Sequence, residues 1–201
     1  MPLELRRLWA RDAPAVLAHY RRLDATSRRR RFFAAIDDAV LAERAALVGA
    51  PDLPMVGGLD GELIRALGEL SLGGEASAEI ALSVEPAWRG RGVGSAILRR
   101  LVEKASNRGV RRILARCLDE NRAMLELARR AGAAIRADAG ELEATIEAPP
   151  ATWLSLLDEC SDDVWALARL AHATLPPPSD LVVVPSAPWP MLAGWWGRRD
   201  H

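Results

Sequence analysis

Three glycines at alternate positions, flanked by two arginines, form the part of the chain best suited to holding a ligand. The glycines are Gly90, Gly92 and Gly94, and the arginines are Arg89 and Arg91. Glycine lets the backbone approach a phosphate closely because it has no Cβ. A helix N-terminus adds free N–H groups and a dipole that attracts anions. The segment therefore predicts a pyrophosphate-binding turn, provided that a strand precedes it and a helix follows it.

The neighbouring residues predict that strand and that helix. Residues 78–84 form a strand-like run that ends at Glu85-Pro86, where proline cannot donate to a sheet. After the glycines, Ala96-Ile97-Leu98 and Leu101-Val102 mark the apolar stripe of a helix. The order strand, glycine-rich turn and helix is the arrangement that an anion site requires.

The spacing excludes two common phosphate-binding motifs. A Walker A loop needs a Lys after its second glycine, and the turn contains none. A dinucleotide fingerprint needs Gly-x-Gly-x-x-Gly soon after the first strand, whereas this turn has Gly-x-Gly-x-Gly deep in the chain.

The rest of the pattern predicts an α/β fold with a mixed, partly parallel sheet. A strand at 3–9 is followed by helical segments, of which a short basic one begins at Thr26 or Ser27 and another is capped by Asp37-Asp38. Asp60-Gly61 predicts a hairpin turn. Helix 92–108, strand 111–117 and helix 121–131 continue strand 78–84 as a βαβα unit, and strands at 134–136 and 142–148 complete the sheet.

The glycine turn resembles motif A of the GNAT superfamily of N-acetyltransferases, Arg/Gln-x-x-Gly-x-Gly/Ala, through Arg89-Gly90-Arg91-Gly92-Val93-Gly94. Downstream, Asn121 opens a helix that Gly132 closes, as in a second family segment. Upstream, Ala78-Glu79-Ile80-Ala81 and residues 27–33 are similar to bacterial protein-lysine acetyltransferases of the Pat type. The similarity covers roughly residues 3–148.

The resemblance implies a GNAT-like sheet of about six to seven strands, flanked by helices, with central strands that splay apart. It also implies acetyl-CoA as cosubstrate and no metal. The pyrophosphate would be held by Arg89, Gly90, Arg91, Gly92, Val93, Gly94 and Ser95. The pantetheine arm would lie along Leu82, Ser83 and Val84 and contact Asn121. The arginines at 28–31 could line the entrance or form a solvated helix face.

The activity implied is transfer of an acetyl group to a primary amine, on a protein lysine or a small molecule. An amine of pKa ~10.4 is charged at pH 7, and its deprotonation costs roughly 4–5 kcal/mol. A nearby carboxylate serves as general base in such reactions. Glu79, which matches the Pat-type glutamate, is the first candidate, and Glu85 is the second. A solvent-facing or salt-bridged role is the structural alternative for Glu79.

One departure from the family leaves other functions open. Many members place a Tyr seven residues after the Asn, to protonate the departing thiolate, and that position is Ala128 here. The chain could therefore be a non-catalytic acyl-CoA-binding sensor or interaction module. A purely structural interaction domain is the third interpretation.

Composition excludes several classes of partner and site. Lys+Arg and Asp+Glu both number 27 and the pI is near 6.9, so nothing indicates affinity for nucleic acid or an anionic membrane. The three histidines are too scattered for a metal site. No signal peptide or membrane-spanning run is recognisable, and a cytoplasmic location is expected.

Pro149-Pro150 predicts a boundary between an acetyltransferase domain at 1–148 and an extension at 149–201. In the extension, apolar residues from Trp153 to Ala171 follow helical spacing, and further tryptophans lie among prolines and glycines near the end. Large aromatic side chains favour burial. The extension is predicted to pack on the domain or on a partner subunit, as in a homodimer, or to cover the substrate site.

Overall fold

The computed structural model describes residues 3–138, 141–161 and 164 of the chain. The strands are β1 (Glu4–Arg7), β2 (Met55–Asp60), β3 (Leu63–Leu72), β4 (Ser77–Val84), β5 (Arg112–Leu118), β6 (Ala134–Asp138) and β7 (Glu141–Glu147). The helices are α1 (Ala13–Arg22), α2 (Ala25–Phe32), α3 (Asp38–Ala46), α4 (Val93–Ser106) and α5 (Arg122–Arg130). Short 3₁₀ turns precede α1 and follow β4. In this part of the chain, no helix is both long and apolar enough to cross a membrane.

The seven strands form one mixed sheet in the order β1-β2-β3-β4-β5-β7-β6. Strands β1 to β4 are antiparallel neighbours, β4 and β5 are parallel, and β5, β7 and β6 are again antiparallel. The predicted fold class is confirmed, including the parallel step, because α4 carries the chain from β4 back to the start of β5.

The two central strands separate soon after they pair. Strands β4 and β5 pair only from Ser77 opposite Arg112 to Glu79 opposite Leu114, although β4 continues to Val84. The remainder of β4 is paired with β3 alone. The predicted splay of the central strands is confirmed, and it leaves a notch between β4 and β5 that is open along one edge of β4.

Each face of the sheet carries its own hydrophobic core. On one face, Ile97 and Leu101 of α4 pack over β3 and β4. On the other face, Val16 and Tyr20 of α1 and Leu41 of α3 pack over β2 and β3. Alternate residues of β3 and β4 therefore point to opposite cores, and residues two apart on β4 share a face.

Side-chain caps define where the helices near the notch begin. The Asp37 carboxylate accepts a hydrogen bond from the Val40 amide, as the sequence predicts for α3. Helix α2 begins at Ala25, before the predicted Thr26 or Ser27, because the Asp24 carboxylate caps it through the Ser27 amide.

The described start of the C-terminal extension lies against α4. Residues 153–161 are helical, and the Glu159 carboxylate contacts the Lys104 ammonium at 3.0 Å and the Arg108 guanidinium at 2.8 Å. The Trp153 and Leu157 side chains, predicted to share one face of a helix, are exposed. The Trp-rich end of the extension lies outside the described residues, so its packing stays a prediction.

Candidate active site

A cavity of about 850 Å³ opens along the notch between β4 and β5. One end is formed by the glycine turn and the first turn of α4. The middle is formed by β4 and α5, and the other end lies under α2 and α3. Among the residues that the sequence nominates, those lining it are Glu79, Leu82, Ser83, Val84, Arg89, Gly90, Gly92, Val93, Gly94, Ser95 and Asn121.

The glycine turn presents free amides to this cavity. Gly90 and Gly92 have φ of +71° and +77°, a left-handed conformation that strains any residue with a Cβ. Within the described chain, the main-chain N–H groups from Gly90 to Ser95 donate to no protein acceptor, and the first helical bond here runs from Ala96 to the Gly92 carbonyl. The N–H groups of Gly92, Val93, Gly94 and Ser95 lie at the helix N-terminus, and four such groups form a site suited to a phosphate.

The two arginines of the turn take different positions. The Arg89 guanidinium donates to the Val84 carbonyl at 3.0 Å and to the Ser27 hydroxyl at 2.5 Å, which fixes it at the cavity wall. The Arg91 guanidinium instead lies 5.2 Å from the centre of the Trp88 ring, and Arg91 does not line the cavity. Arg89 is therefore the better placed of the two cations.

The main chain of β4 also directs hydrogen-bonding groups toward the notch. The Glu85 amide donates to the Arg65 carbonyl on the β3 side, and in an antiparallel pair alternate residues point the same way. The main-chain groups of Ser83 therefore face β3, whereas those of Leu82 and Val84 face the notch. The Val84 carbonyl confirms this direction, since Arg89 donates to it.

Helix α5 forms the opposite wall of the notch. The Asn121 carboxamide oxygen caps α5 by accepting from the Met124 amide at 3.3 Å, and Asn121 also lines the cavity. Met124 and Leu127 add an apolar surface beside it. This wall can hold a polar chain that also carries methylene groups.

Glu79 lies where β4 and β5 part, on the cavity wall. Its carboxylate accepts from the Arg116 guanidinium at 2.8 and 3.3 Å, and this pair bridges the two strands. The Glu79 side chain keeps 40% of its surface exposed. The pairing with Glu79 raises the pKa of Arg116, so the guanidinium stays charged. A carboxylate at this place can accept a proton from a group bound in the cavity.

The sequence profile of the acetyltransferase (GNAT) family matches residues 4–133. The chain belongs to this family. The family is one of acetyltransferases.

Solved structures and a curated relative agree with this assignment. The GNAT domain of S. lividans PAT has a TM-score of 0.65 and 25% identity, covering 71% of this chain and 89% of that one. Acetyltransferase Pat of Mycolicibacterium smegmatis is 34% identical over 88 residues, which are 43% of this chain and 26% of Pat. The chain thus spans about a quarter of that relative. The yncA protein of Salmonella typhimurium, solved with acetyl-CoA, shares the fold at a TM-score of 0.60 and 16% identity, covering 76% and 97%.

Glu85, the second candidate base of this GNAT domain, is held away from the cavity. Its carboxylate accepts from Arg22 at 2.8 Å and from Arg65 at 3.0 Å, and it does not line the cavity. Burial raises the pKa of Glu85, but the two arginines more than offset this and lower it below its ordinary value. The geometry favours Glu79 over Glu85 as a proton acceptor.

A buried histidine behind Ser83 was not singled out from the sequence. The His19 ring contacts the Ser83 hydroxyl at 2.8 Å through Nε2 and the Ile64 carbonyl at 3.1 Å through Nδ1. Burial lowers the pKa of His19 to about 4, so the ring is neutral. Because Nδ1 faces a carbonyl, it donates, and Nε2 accepts the Ser83 proton. No signal in the sequence links residues that are 64 positions apart.

The family position for a thiolate-protonating Tyr carries no such group here. Ala128 is a residue of α5 and is buried. The single tyrosine of the chain, Tyr20, is buried in α1 and donates to the Glu69 carboxylate at 2.7 Å. Neither residue lines the cavity.

The four arginines at 28–31 were predicted either to line the entrance or to form a solvated helix face, and the structure divides them between these two roles. Arg30 and Arg31 line the cavity, whereas Arg28 and Arg29 do not. The Arg31 side chain is 9% exposed and donates to Glu69. The solvated-face interpretation therefore fits only part of the run.

Proposed function

We propose that this chain transfers the acetyl group of acetyl-CoA to a primary amine. The observation that carries the proposal is the set of amides from Gly92 to Ser95, which donate to no acceptor in the described chain and open on a cavity that reaches the Glu79 carboxylate. The anion-binding turn can hold a phosphate-bearing acyl thioester, and the proton acceptor in the same cleft can serve the attacking amine.

The chain's residues fit the cosubstrate from end to end. The amides of Gly90 to Ser95 and the Arg89 guanidinium bind the pyrophosphate. The main-chain groups of Leu82 and Val84 pair with the pantetheine amides as an added strand would, and Asn121 orients the arm. Acetyl-CoA supplies the activated acetyl group, and no metal is required in this scheme.

The chemistry assigned to the chain is polarisation and proton transfer. A main-chain N–H of the Leu82 to Val84 segment donates to the thioester oxygen, where negative charge develops. Glu79 accepts the proton of the attacking amine, directly or through a water molecule. The thiolate leaves with a proton from water, because neither Ala128 nor Tyr20 can supply one.

Calorimetric titration with acetyl-CoA, followed by a thiol-release assay on a panel of amines, tests the proposal. Glu79→Gln should lower kcat by about 10²–10⁴ while leaving the Kd of acetyl-CoA within about twofold. Glu103→Gln, on the outer surface of α4, is the matched control and should retain full activity. The proposal is wrong if acetyl-CoA does not bind at millimolar concentration, and the base assignment is wrong if Glu79→Gln retains full kcat.

A second candidate function is a non-catalytic acyl-CoA-binding module. The absence of a Tyr at position 128 and the engagement of Glu79 by Arg116 favour it. Tight binding of acetyl-CoA with no thiol release on any amine would select this alternative.

A further inference from the structure

The far end of the cavity, under α2 and α3, is lined by residues other than those assigned to the cosubstrate. It is walled by Arg31, Phe32, Val40, Arg44 and Ser71, and it meets the rest of the cavity at Glu79. It lies on the face of the sheet opposite to α4. An acceptor entering from this side would approach Glu79 without crossing the glycine turn.

Two arginines at this end share one carboxylate. Glu69 of β3 is 1% exposed, and it accepts from Arg31 at 3.1 Å and from Arg44 at 2.7 Å. Tyr20 donates to the same carboxylate. The Arg44 guanidinium also lies 3.5 Å from the Ser71 hydroxyl. Arg31, Arg44 and Glu69 together carry one net positive charge beside the cavity, and the Glu79 carboxylate also attracts Arg31 electrostatically.

The protonation states of the cluster are fixed near neutral pH. Burial raises the pKa of Glu69, but Arg31 and Arg44 more than offset this effect and lower it below its ordinary value. Burial and the neighbouring Glu69 raise the pKa of Tyr20, so the phenol is neutral. Each guanidinium has five N–H donors and uses only part of them on Glu69 and Ser71, so donors remain for a ligand.

The strand register places this charge next to the candidate base. Ser71 pairs with Glu79, and Glu69 pairs with Ala81, on the same face of β3 and β4. Directly opposed residues have Cβ atoms about 4.5–5.5 Å apart. The Arg44 guanidinium contacts the Ser71 hydroxyl, and Ser71 is the residue paired with Glu79. Arg44 and Glu79 both line this cavity.

We propose that this end binds an acceptor that carries both a primary amine and a carboxylate. This inference rests on the proposed function. Arg44, assisted by Arg31 and Ser71, binds the acceptor carboxylate and Glu79 faces the amine. The amine nitrogen forms a bond to the acetyl carbon, the carbon–sulfur bond breaks, the amine proton passes to Glu79, and coenzyme A leaves as the thiolate.

The same chemistry can come from a free amino acid or from a lysine beside an acidic residue in a protein. The assay therefore uses two matched pairs of acceptors: β-alanine with β-alaninamide, and a Lys peptide flanked by Asp with the same peptide flanked by Asn. A hydrogen bond to a charged group corresponds to about 10–100-fold in kcat/KM. We expect at least a tenfold preference for the carboxylate member in one pair, and that pair identifies the source.

The variants Arg44→Gln and Arg44→Lys test the residue. Arg44→Gln should remove the preference by lowering kcat/KM for the carboxylate acceptor about tenfold or more, with the amide acceptor changed less than threefold. Arg44→Lys keeps the charge without the guanidinium fork and should retain part of the preference. Arg99→Gln, an exposed arginine of α4, is the matched control and should leave both acceptors unchanged.

Binding measurements separate this inference from the proposed function. Calorimetry of β-alanine and β-alaninamide with the coenzyme A complex should show tighter binding of the acid, and loss of the difference in Arg44→Gln. If no amine is acetylated but this difference persists, only the proposed function fails. If neutral amines are acetylated as well as their carboxylate counterparts, or if Arg44→Lys behaves like Arg44→Gln on both members of a pair, the inference is overturned while acetyl transfer stands.

Discussion

Replacing Gly92 by Ala should weaken acetyl-CoA binding beyond any effect on folding. The φ of Gly92 is +77°, and a Cβ built there meets no atom within 4 Å, so it points into open space at the turn. The left-handed conformation costs a residue with a Cβ about 1–2 kcal/mol. A displaced or shielded amide also loses a hydrogen bond to a charged phosphate, which contributes about 1.5–3 kcal/mol. The Kd should therefore rise about 10–100-fold.

Gly109 provides a control, because a substitution there introduces the same kind of backbone strain away from the proposed ligand site. Its φ is +74°, an added Cβ again meets nothing within 4 Å, and it does not line the cavity. Gly92→Ala and Gly109→Ala should each lower the unfolding temperature of the free protein by roughly 2–8 °C. Only Gly109→Ala should keep the ordinary affinity for acetyl-CoA in calorimetry.

The same variants give a second readout through ligand-induced stabilisation. A ligand at 100 times its Kd stabilises the native state by about 2.7 kcal/mol. At that ligand concentration, a 30-fold higher Kd in Gly92→Ala would reduce the stabilisation to about 1 kcal/mol. Equal changes of Kd in both variants, or an unchanged Kd in Gly92→Ala, would refute the assignment of the turn as the pyrophosphate site.

Three further predictions concern groups around the site. Glu69→Gln leaves two guanidinium groups without their carboxylate and should lower the free energy of unfolding in urea by about 3–5 kcal/mol. The exposed Glu126→Gln should lower it by less than about 0.5 kcal/mol. Similar losses in the two variants would contradict the role given to the buried cluster. His19 has a pKa of about 4 when folded, so below about pH 6.5 the unfolded chain binds a proton that the folded chain does not. Stability should fall by about 3 kcal/mol between pH 6.5 and 4, and His19→Asn should flatten this slope in unfolding measured across that range. A Cβ on Gly68 would lie 2.3 Å from the Ile97 Cγ2 atom. Gly68→Ala should therefore displace α4 and lower the free energy of unfolding, measured by thermal unfolding, by about 1–3 kcal/mol. An unchanged stability would contradict this close packing.

The local sequence predicted the parts of the fold that depend on neighbouring residues. Proline at 86 ends β4, the alternate glycines form the turn, and Asn121 begins α5. Each of these is a short-range preference of backbone or cap. The order of strand, helix, strand and helix then requires a parallel pair, which β4 and β5 form.

Contacts between distant segments could not be predicted in the same way. Glu69 stands in an otherwise apolar part of β3, and a charge at such a position signals a buried partner. The sequence contains many arginines and does not indicate that Arg31 and Arg44 are those partners. The link between His19 and Ser83 likewise depends on how α1 crosses the sheet.

The position at which β4 leaves β5 connects the fold to the chemistry. If the two strands stayed paired to their ends, the main-chain groups of Leu82 and Val84 would be used in the sheet and no notch would exist. Unpaired backbone groups are tolerated here because they open on a cavity that admits water or a ligand. Gly68 lets α4 pack closely on β3, and this holds the N-terminus of α4 beside the end of β4. The amides of the turn and the free edge of β4 therefore face the same notch, with Glu79 at its closed end, and this arrangement makes the cleft suitable for a long, phosphate-ended acyl donor.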